Sequence, residues 1–308
     1  MTRIHLDTDL GGDIDDLCAL AMLLRWPAAE ITGVTTVAED GGRRAGYARY
    51  ALALAGRADI PVAAGADAAY GPYRHPIPAL FPREDRYWPA PVPRAPTPVA
   101  DALALLKRSV EGGARIVATG PYTNLALLDT AYPGLLRRAA LYLMGGHVHP
   151  IPDGFPAWGD NMDDNIQFDV ASARRVLVAS FPTLIPIEVT VQTALRRAHI
   201  PALRASGPLG ALLARQADAL AEDWQIEERY GRPCSGLPDD TINFLHDPLA
   251  CAVALGWDGV SIEETRLRLD LRDGWLHEQV DPAGHAVRIV TAVDAARFAQ
   301  IWVQVMTA

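Results

Sequence analysis

Five aspartates crowd the stretch DTDLGGDIDD, residues 7–16, directly behind the first apolar run of the chain, IHL. Carboxylates this close repel, and each raises its neighbours' pKa unless a cation or hydrogen bonds offset the charge. Part of the crowding has a local account. Asp13 can cap a helix beginning near Ile14, and Asp15 and Asp16 then fall in its first turn, where the helix dipole favours negative charge. Asp7 and Asp9, two residues apart at a strand end and so on one face, are left without partners. A divalent ion would serve them all, and oxygen ligands with no His or Cys nearby select Ca²⁺ or Mg²⁺ over zinc. An EF-hand is excluded: counting from Asp7, position five is Gly11 and position twelve is Cys18, where that loop needs an oxygen ligand and a bidentate Glu.

A strand-end Asp-x-Asp also serves Mg²⁺-dependent phosphatases of the haloacid dehalogenase type, as nucleophile and acid. DTD fits that pattern, and GDNMDD (159–164) fits its late metal motif by spacing. Against it, Gly11 stands where such enzymes carry Thr or Val, Lys107 is the only lysine available, and Asp15 and Asp16 are left without a role.

The elements that must carry these residues alternate. Strand-like runs (IHL, ITGVTTVA, IPVAAG, RIVATG, AALYLMGG, TLIPIEVT) are separated by helix-period segments such as DDLCALAMLLRW, GRRAGYARYALALAG and NLALLDTAY. Alternating β and α units predict a mainly parallel open sheet covered by helices on both faces, a Rossmann-like α/β fold, in one domain over residues 1–308. Ligands in such sheets sit beyond the carboxyl ends of strands. Asp7 to Asp16, Glu39-Asp40 and Gly120 to Asn124 all follow strands, so they can face one crevice. Residues 71–98 interrupt the pattern with nine of the 24 prolines together with Tyr73, Phe81, Tyr87 and Trp88. That stretch is a long loop, either a lid over the crevice or a surface excursion anchored by its aromatics. HVHPIPDGFPAWGDNMDD (147–164) carries the same ambiguity, and residues 208–231 have the period of one helix.

A net charge of −9 offers no basic field for phosphates, so neither nucleic acid nor an anionic membrane is an expected partner. Three cysteines without Cys-x-x-Cys spacing indicate neither a disulfide frame nor a thiolate metal site. A strand beginning by residue 4 leaves no room for a signal peptide, and no apolar run approaches the roughly 18 residues of a membrane span. A cytoplasmic protein is expected.

LDTDLGGDIDDLCAL resembles the N-terminal signature of the nucleoside hydrolases, the inosine/uridine-preferring N-ribohydrolase family. Six further blocks are similar to that family's motifs in the same order: GVTTVAED (33–40), GPYTNLALL (120–128), LYLMGG (141–146), DDNIQFDVASA (163–173), PIEVT (186–190) and LHDPLAC (245–251). The resemblance implies the nucleoside hydrolase fold and Ca²⁺-dependent hydrolysis of the N-glycosidic bond of a ribonucleoside, to free base and ribose. It implies a calcium ion held by Asp9, Asp16, the main-chain carbonyl of Thr123, and Asp247, with Asp9 as general base. It also implies Asp15 on the ribose diol, Asn165 and Asp163 near the remaining hydroxyls, Asp40 where relatives carry Asn or Asp, Met144 beneath the sugar, and His246 as the acid for the leaving base. A homodimer or homotetramer follows from the same resemblance. The chemistry suits the residues: the sugar becomes oxocarbenium-like, a cation can activate water and grip the diol, and an anionic base departs poorly unless protonated.

The chain departs from the pattern in places. Two extra residues, in a stretch containing Gly12 and Asp13, separate Asp9 from Asp15-Asp16. Glu39 replaces a usual Gly, Asp163 shortens a Glu, Glu188 lengthens an Asp, and Val191 stands where a His often follows. These changes touch the sugar contacts and bring a modified or non-standard nucleoside within the expected substrates. Trp88, Tyr87, Trp158, Trp224 and Tyr230 are the candidates for stacking on the base. The non-enzymatic alternative is a metal-bound nucleoside or sugar binding protein.

Overall fold

The computed structural model describes residues 1–67, 69, 81 and 83–308. Eleven strands occur among these residues: β1 (Thr2–Thr8), β2 (Ala29–Thr36), β3 (Val62–Ala64), β4 (Arg115–Ala118), β5 (Ala140–Met144), β6 (Thr183–Ile185), β7 (Ala194–Arg196), β8 (Thr241–Phe244), β9 (Val260–Arg272), β10 (Trp275–Val280) and β11 (His285–Val293). Nine form one sheet in the order β10-β9-β11-β6-β5-β4-β1-β2-β3, while β7 and β8 pair separately. From β3 across to β11 every pairing is parallel. β9 and β10 then extend the sheet with antiparallel pairings.

This antiparallel edge was not visible in the βα alternation. The order 3-2-1-4-5-6 of strands β1 to β6 has a specific consequence. The chain leaves β1 toward β2 on one side and later returns to β4 on the other, so the switch point lies between the ends of β1 and β4. Asp9 follows β1, and Thr119 to Thr123 follow β4.

Two helices buried along most of their length bring further residues to the same place. Asp15–Arg25 (DDLCALAMLLR) is buried from Asp15 to Leu23, and His246–Leu255 (HDPLACAVAL) is buried from Asp247 to Ala254. Neither carries a polar face in its middle, as expected of helices enclosed on all sides. They pack against each other, and both begin at the switch point. The core lies in two main layers, one around these helices with Leu213, Phe298 and Trp302, the other around Leu106, Leu125, Leu143 and Val176.

The proline-rich stretch is anchored rather than open where it is described. Phe81, Tyr87 and Trp88 are buried, Phe81 stacks on Tyr87 at 3.9 Å and Trp88 on Tyr47 at 4.4 Å, and Tyr87 donates its hydroxyl to Asp223 at 2.6 Å. Tyr87 and Trp88 are therefore core residues and not stacking platforms. Tyr73 lies outside the described residues. The single helix expected over 208–231 ends at Trp224, because Gln225 adopts a left-handed conformation (φ 52°), and Tyr230 sits in a separate turn, Glu227–Gly231.

Candidate active site

Residues 9–16 leave β1 through a turn that only glycine permits at one point: Gly11 has φ 114°. At Gly120, directly across, an added Cβ would lie 3.0 Å from that of Asp9. The β4 turn therefore closes tightly on Asp9. The two extra residues place Asp13 just before the helix, where its Oδ1 accepts the backbone N–H of Asp15 at 3.0 Å. The carboxylates of Asp13, Asp15 and Asp16 offer ligand atoms within 4.8 Å of one another.

Asp9 and Asp247 complete the cluster. Burial, followed by repulsion from Asp16, holds the carboxyl of Asp9 well above the ordinary carboxylate range, with Arg44 pulling the other way. Asp247 is raised by burial and then by Asp16, Asp13 and Asp9, and Asp15 by burial and then by Asp13 and Asp247. Asp16 is pushed up to about 6 by burial, against hydrogen bonds from Thr8 and from Thr119 at 2.9 Å. The N-termini of two buried helices stabilise this negative charge only in part. Such a set of carboxylates is suited to a hard divalent cation.

Sequence reasoning placed no thiol near the cluster, and here the structure differs. Cys18 and Cys251 are fully buried behind it, Cys18 against Asp15, Asp13 and Asp16, and Cys251 against Asp16 and Asp247. Burial, then the neighbouring carboxylates, raise both thiols and so disfavour the thiolate form that ligates a metal.

Arg44 also went unnoticed, because in the sequence nothing sets it apart from the other arginines. Its side chain is fully buried, donating Nε–H to the Ala38 carbonyl at 2.7 Å and Nη1–H to the carbonyl of Asp9. It places a permanent positive charge beneath Asp9 and Asp16.

The expected sugar-binding residues fall into two groups. Asn165 reaches the site: its amide donates to the carbonyls of Thr119 (3.1 Å) and Met144 (3.2 Å) and lies 3.1 Å from the Met144 sulfur. Thr119 in turn bonds Asp16, so one chain of contacts joins Asn165 and Met144 to the acidic cluster. Asp163, by contrast, uses its carboxylate to accept the N–H groups of Gly146 (2.7 Å) and Ile166 (3.4 Å), and burial first of all raises it to about 7. Asp40 is not brought to the cluster. It is exposed and paired with Arg94 at 2.9 Å, while its neighbour Glu39 turns inward to cap the helix Arg43–Leu54. Thr123 opens the helix Thr123–Ala131, with its hydroxyl donating to Asp169 at 2.7 Å. Asp7 is a supporting residue whose Oδ1 accepts from Thr35 (2.5 Å) and Asn124 (2.8 Å).

His246 stands on the far side of the cluster. Its Nδ1 bonds Thr190 Oγ1 at 2.7 Å, and burial lowers it to about 4 while the charge of Asp13 acts in the opposite sense. Around its ring gather Phe244 (centroids 5.3 Å), Trp158 (6.2 Å) and, through them, Tyr230. Two of the five candidate stacking residues, Trp158 and Tyr230, thus meet beside His246, and Trp224 does not join them.

Comparison with known proteins identifies the family and the fold. Residues 4–300 match the family model described as inosine-uridine preferring nucleoside hydrolase. Among curated proteins, the pyrimidine-specific ribonucleoside hydrolase RihA of Enterobacter sp. is 30% identical over 279 residues, covering 84% of each chain. RihA of Salmonella schwarzengrund is 29% identical over the same length and coverage. Among solved structures, a purine-preferring ribonucleoside hydrolase from Gardnerella vaginalis superposes with a TM-score of 0.78 at 22% identity, covering 99% of this chain and 98% of that one. A plant nucleoside hydrolase, PpNRh1, gives 0.76 at 22% identity over 100% and 99%.

Proposed function

The chain belongs to the inosine-uridine preferring nucleoside hydrolase family, whose members cleave ribonucleoside N-glycosidic bonds, and on that premise we propose a calcium-dependent reaction run by Asp9 and His246. Membership over residues 4–300 takes the place of the phosphatase and the binding-protein readings. The observation that carries the finer reading is the convergence of Asp9, Asp13, Asp15, Asp16 and Asp247 at the switch point.

Asp9, Asp16, Asp247 and the Thr123 carbonyl would hold the calcium ion, which when bound lowers the pKa of a water and grips the ribose diol. Asp9 accepts the proton of the attacking water, held in place by the Arg44 bond to its own carbonyl. Asp15 binds the diol, and Asn165 holds Met144 beneath the sugar. Asp163 contributes by fixing the turn at Gly146. His246 protonates the departing base, with Thr190 fixing its ring and Asp13 supporting the protonated form that burial opposes. Trp158 and Tyr230 flank that base. With Asp40 turned to solvent and Asp163 committed to backbone, the sugar is held by fewer side chains than the family pattern implies, which supports a modified or non-standard nucleoside as substrate. The same reading takes the matched chain as one catalytic domain, assembled as a homodimer or homotetramer in the cytoplasm. No helix among the described residues is long and apolar enough to cross a membrane.

The test is a panel of purine, pyrimidine and modified nucleosides incubated with the purified protein and Ca²⁺, assayed for free base and for reducing sugar. Release of both, abolished by chelation and restored by Ca²⁺, is expected. Turnover that survives complete chelation would overturn the calcium reading.

A further inference from the structure

The segment 147–163, between β5 and the helix Asp164–Phe168, delivers Trp158 to His246, and its own footing is unusual. It borders an open groove of about 520 Å³ lined by His147, His149, Ile151, Trp158, Asp160 and His277, while Ile151, Phe155 and Trp158 pack against the apolar cluster of Val191, Ile226, Leu237 and Phe244. Beside the groove, its two ends are tied down by polar contacts. The carboxylate of Asp160 lies between two imidazoles, with His147 Nδ1 at 2.6 Å from Oδ1 and His277 Nδ1 on Oδ2. His147 begins the segment, Asp160 lies near its end, and His277 belongs to β10, an edge strand of the antiparallel extension.

The residues either side of His277 reinforce the attachment. Leu276 donates its N–H to Gln167 Oε1 at 2.9 Å and accepts from Gln167 Nε2 at 2.7 Å, so the carboxamide substitutes for a neighbouring strand on an otherwise open edge. Glu278 accepts the N–H of His147. Three consecutive residues of β10 therefore hold both ends of the stretch 147–168, which carries Trp158, Asp163 and Asn165. At its middle, Trp158 sets its indole edge against Tyr230 (5.4 Å, 86°) and Phe244 (5.0 Å, 71°).

We propose that Asp160 is a positioning residue: clasped by His147 and His277, it fixes the 147–163 segment so that Trp158 stands beside His246, and thereby sets how tightly the nucleoside's base is bound. The proposal rests on the nucleoside hydrolase reading for its effect on binding. Its structural half, the dependence of Trp158 on Asp160, stands independently. Asp160 touches neither substrate nor ion in this account, so its loss acts through the segment. An effect on KM larger than that on kcat distinguishes this role from a catalytic one.

The experiment compares wild type with Asp160→Ala, His277→Ala, the double variant and Asp160→Asn. The emission of Trp158 is isolated in each by subtracting the same protein carrying Trp158→Phe. Asp160→Ala and His277→Ala should each move the Trp158 emission to the red without substrate present. Each should raise KM about tenfold with kcat changed less than about threefold, and the double variant should be no worse than the worse single, as expected of residues acting through one contact. Asp160→Asn can still accept from one imidazole and donate to the other, and should recover most of the loss. Unchanged Trp158 emission in Asp160→Ala, or a shifted emission with unchanged KM, overturns the proposal. If the wild type hydrolyses no nucleoside, the hydrolase reading fails, and the emission alone then decides whether Asp160 positions Trp158.

Discussion

Two sets of buried carboxylates in this protein differ in their surroundings, and the contrast between them points to the chemistry. Glu39, Asp163 and Asp169 are supplied with protein donors on both carboxylate oxygens. Glu39 accepts from Thr36, from the N–H of Ala45 at 2.7 Å and from that of Arg44 at 3.1 Å, and Asp169 accepts from Thr123, from the Ser172 hydroxyl and from the Ser172 N–H. Asp9 and Asp247 are enclosed among other acids, which add to burial in raising both, while at Asp9 the charge of Arg44 acts in the opposite sense. Residue type and burial are alike in both groups. What differs is satisfaction: a saturated carboxylate stabilises a turn or cap, whereas one enclosed by its own kind remains available for an ion, a water or a sugar hydroxyl.

The largest effect expected from this contrast is at Asp9. Asp9→Asn keeps the shape of the side chain and removes one charge from a repelling cluster. Turnover should fall by roughly 10³-fold or more while the melting temperature stays level or rises. Wild-type turnover in Asp9→Asn would place the base elsewhere. Next is His246→Ala, which should slow nucleosides with poor leaving groups on the order of 10²-fold and spare those whose base departs readily as an anion. A uniform loss across leaving groups would reassign His246 to support of the aromatic cluster. The saturated group should respond in the opposite manner. Glu39→Ala strands the donors of Thr36, Arg44 and Ala45, so chemical unfolding should report a loss of about 1–3 kcal/mol, with kcat of the folded enzyme changed only a few fold.

The smallest effect concerns a saturated base. His5 is fully buried, its ring bonded to Ser109 at 2.8 Å and Thr35 at 2.9 Å, and burial lowers its pKa from 6.5 to about 3. Below pH 6.5 the unfolded chain takes up a proton that the folded chain refuses until about pH 3. Stability is therefore lost as pH falls through that window. Between pH 7 and 5 His5 accounts for a loss of about 2 kcal/mol, and His5→Gln should reduce the fall in unfolding free energy over that interval by the same amount. An unaltered slope would mean that His5 is not held neutral.

Much of this was legible in the sequence. Strand periods gave the mainly parallel sheet and the polar turns that face one crevice, because hydrophobic period acts over a few residues, whereas the meeting of residues as distant as Asp9 and Asp247 was implied only by the family resemblance. Other features depend on which side of a turn a side chain takes, and period does not encode that. Glu39 turns in and Asp40 turns out, although they are adjacent. Tyr87 and Trp88 found partners in Tyr47, Phe81 and Asp223, so their aromatic character was used in the core. Arg44 looked like surface charge and is buried, since its value comes from a carbonyl 35 positions away. The brace by β10 was hidden for a similar reason: His277 and Gln167 gain meaning only when an antiparallel edge strand comes to lie beside the 147–168 stretch. Asp13, left over by the family pattern, proved to do two things at once, holding the N–H of Asp15 and joining the acidic cluster.

The central claim is that the acids crowded at the switch point, Asp9, Asp16 and Asp247, form one calcium site, and that a donor-saturated carboxylate such as Glu39 does not take part in it. Calorimetric titration of Ca²⁺ into chelator-treated protein tests it directly, using wild type, Asp16→Asn, Asp247→Asn and Glu39→Gln. One ion per chain is predicted for wild type and for Glu39→Gln, with binding lost or greatly weakened in Asp16→Asn and Asp247→Asn. Calcium binding that is absent from wild type, or unchanged in Asp16→Asn and Asp247→Asn, would contradict the account.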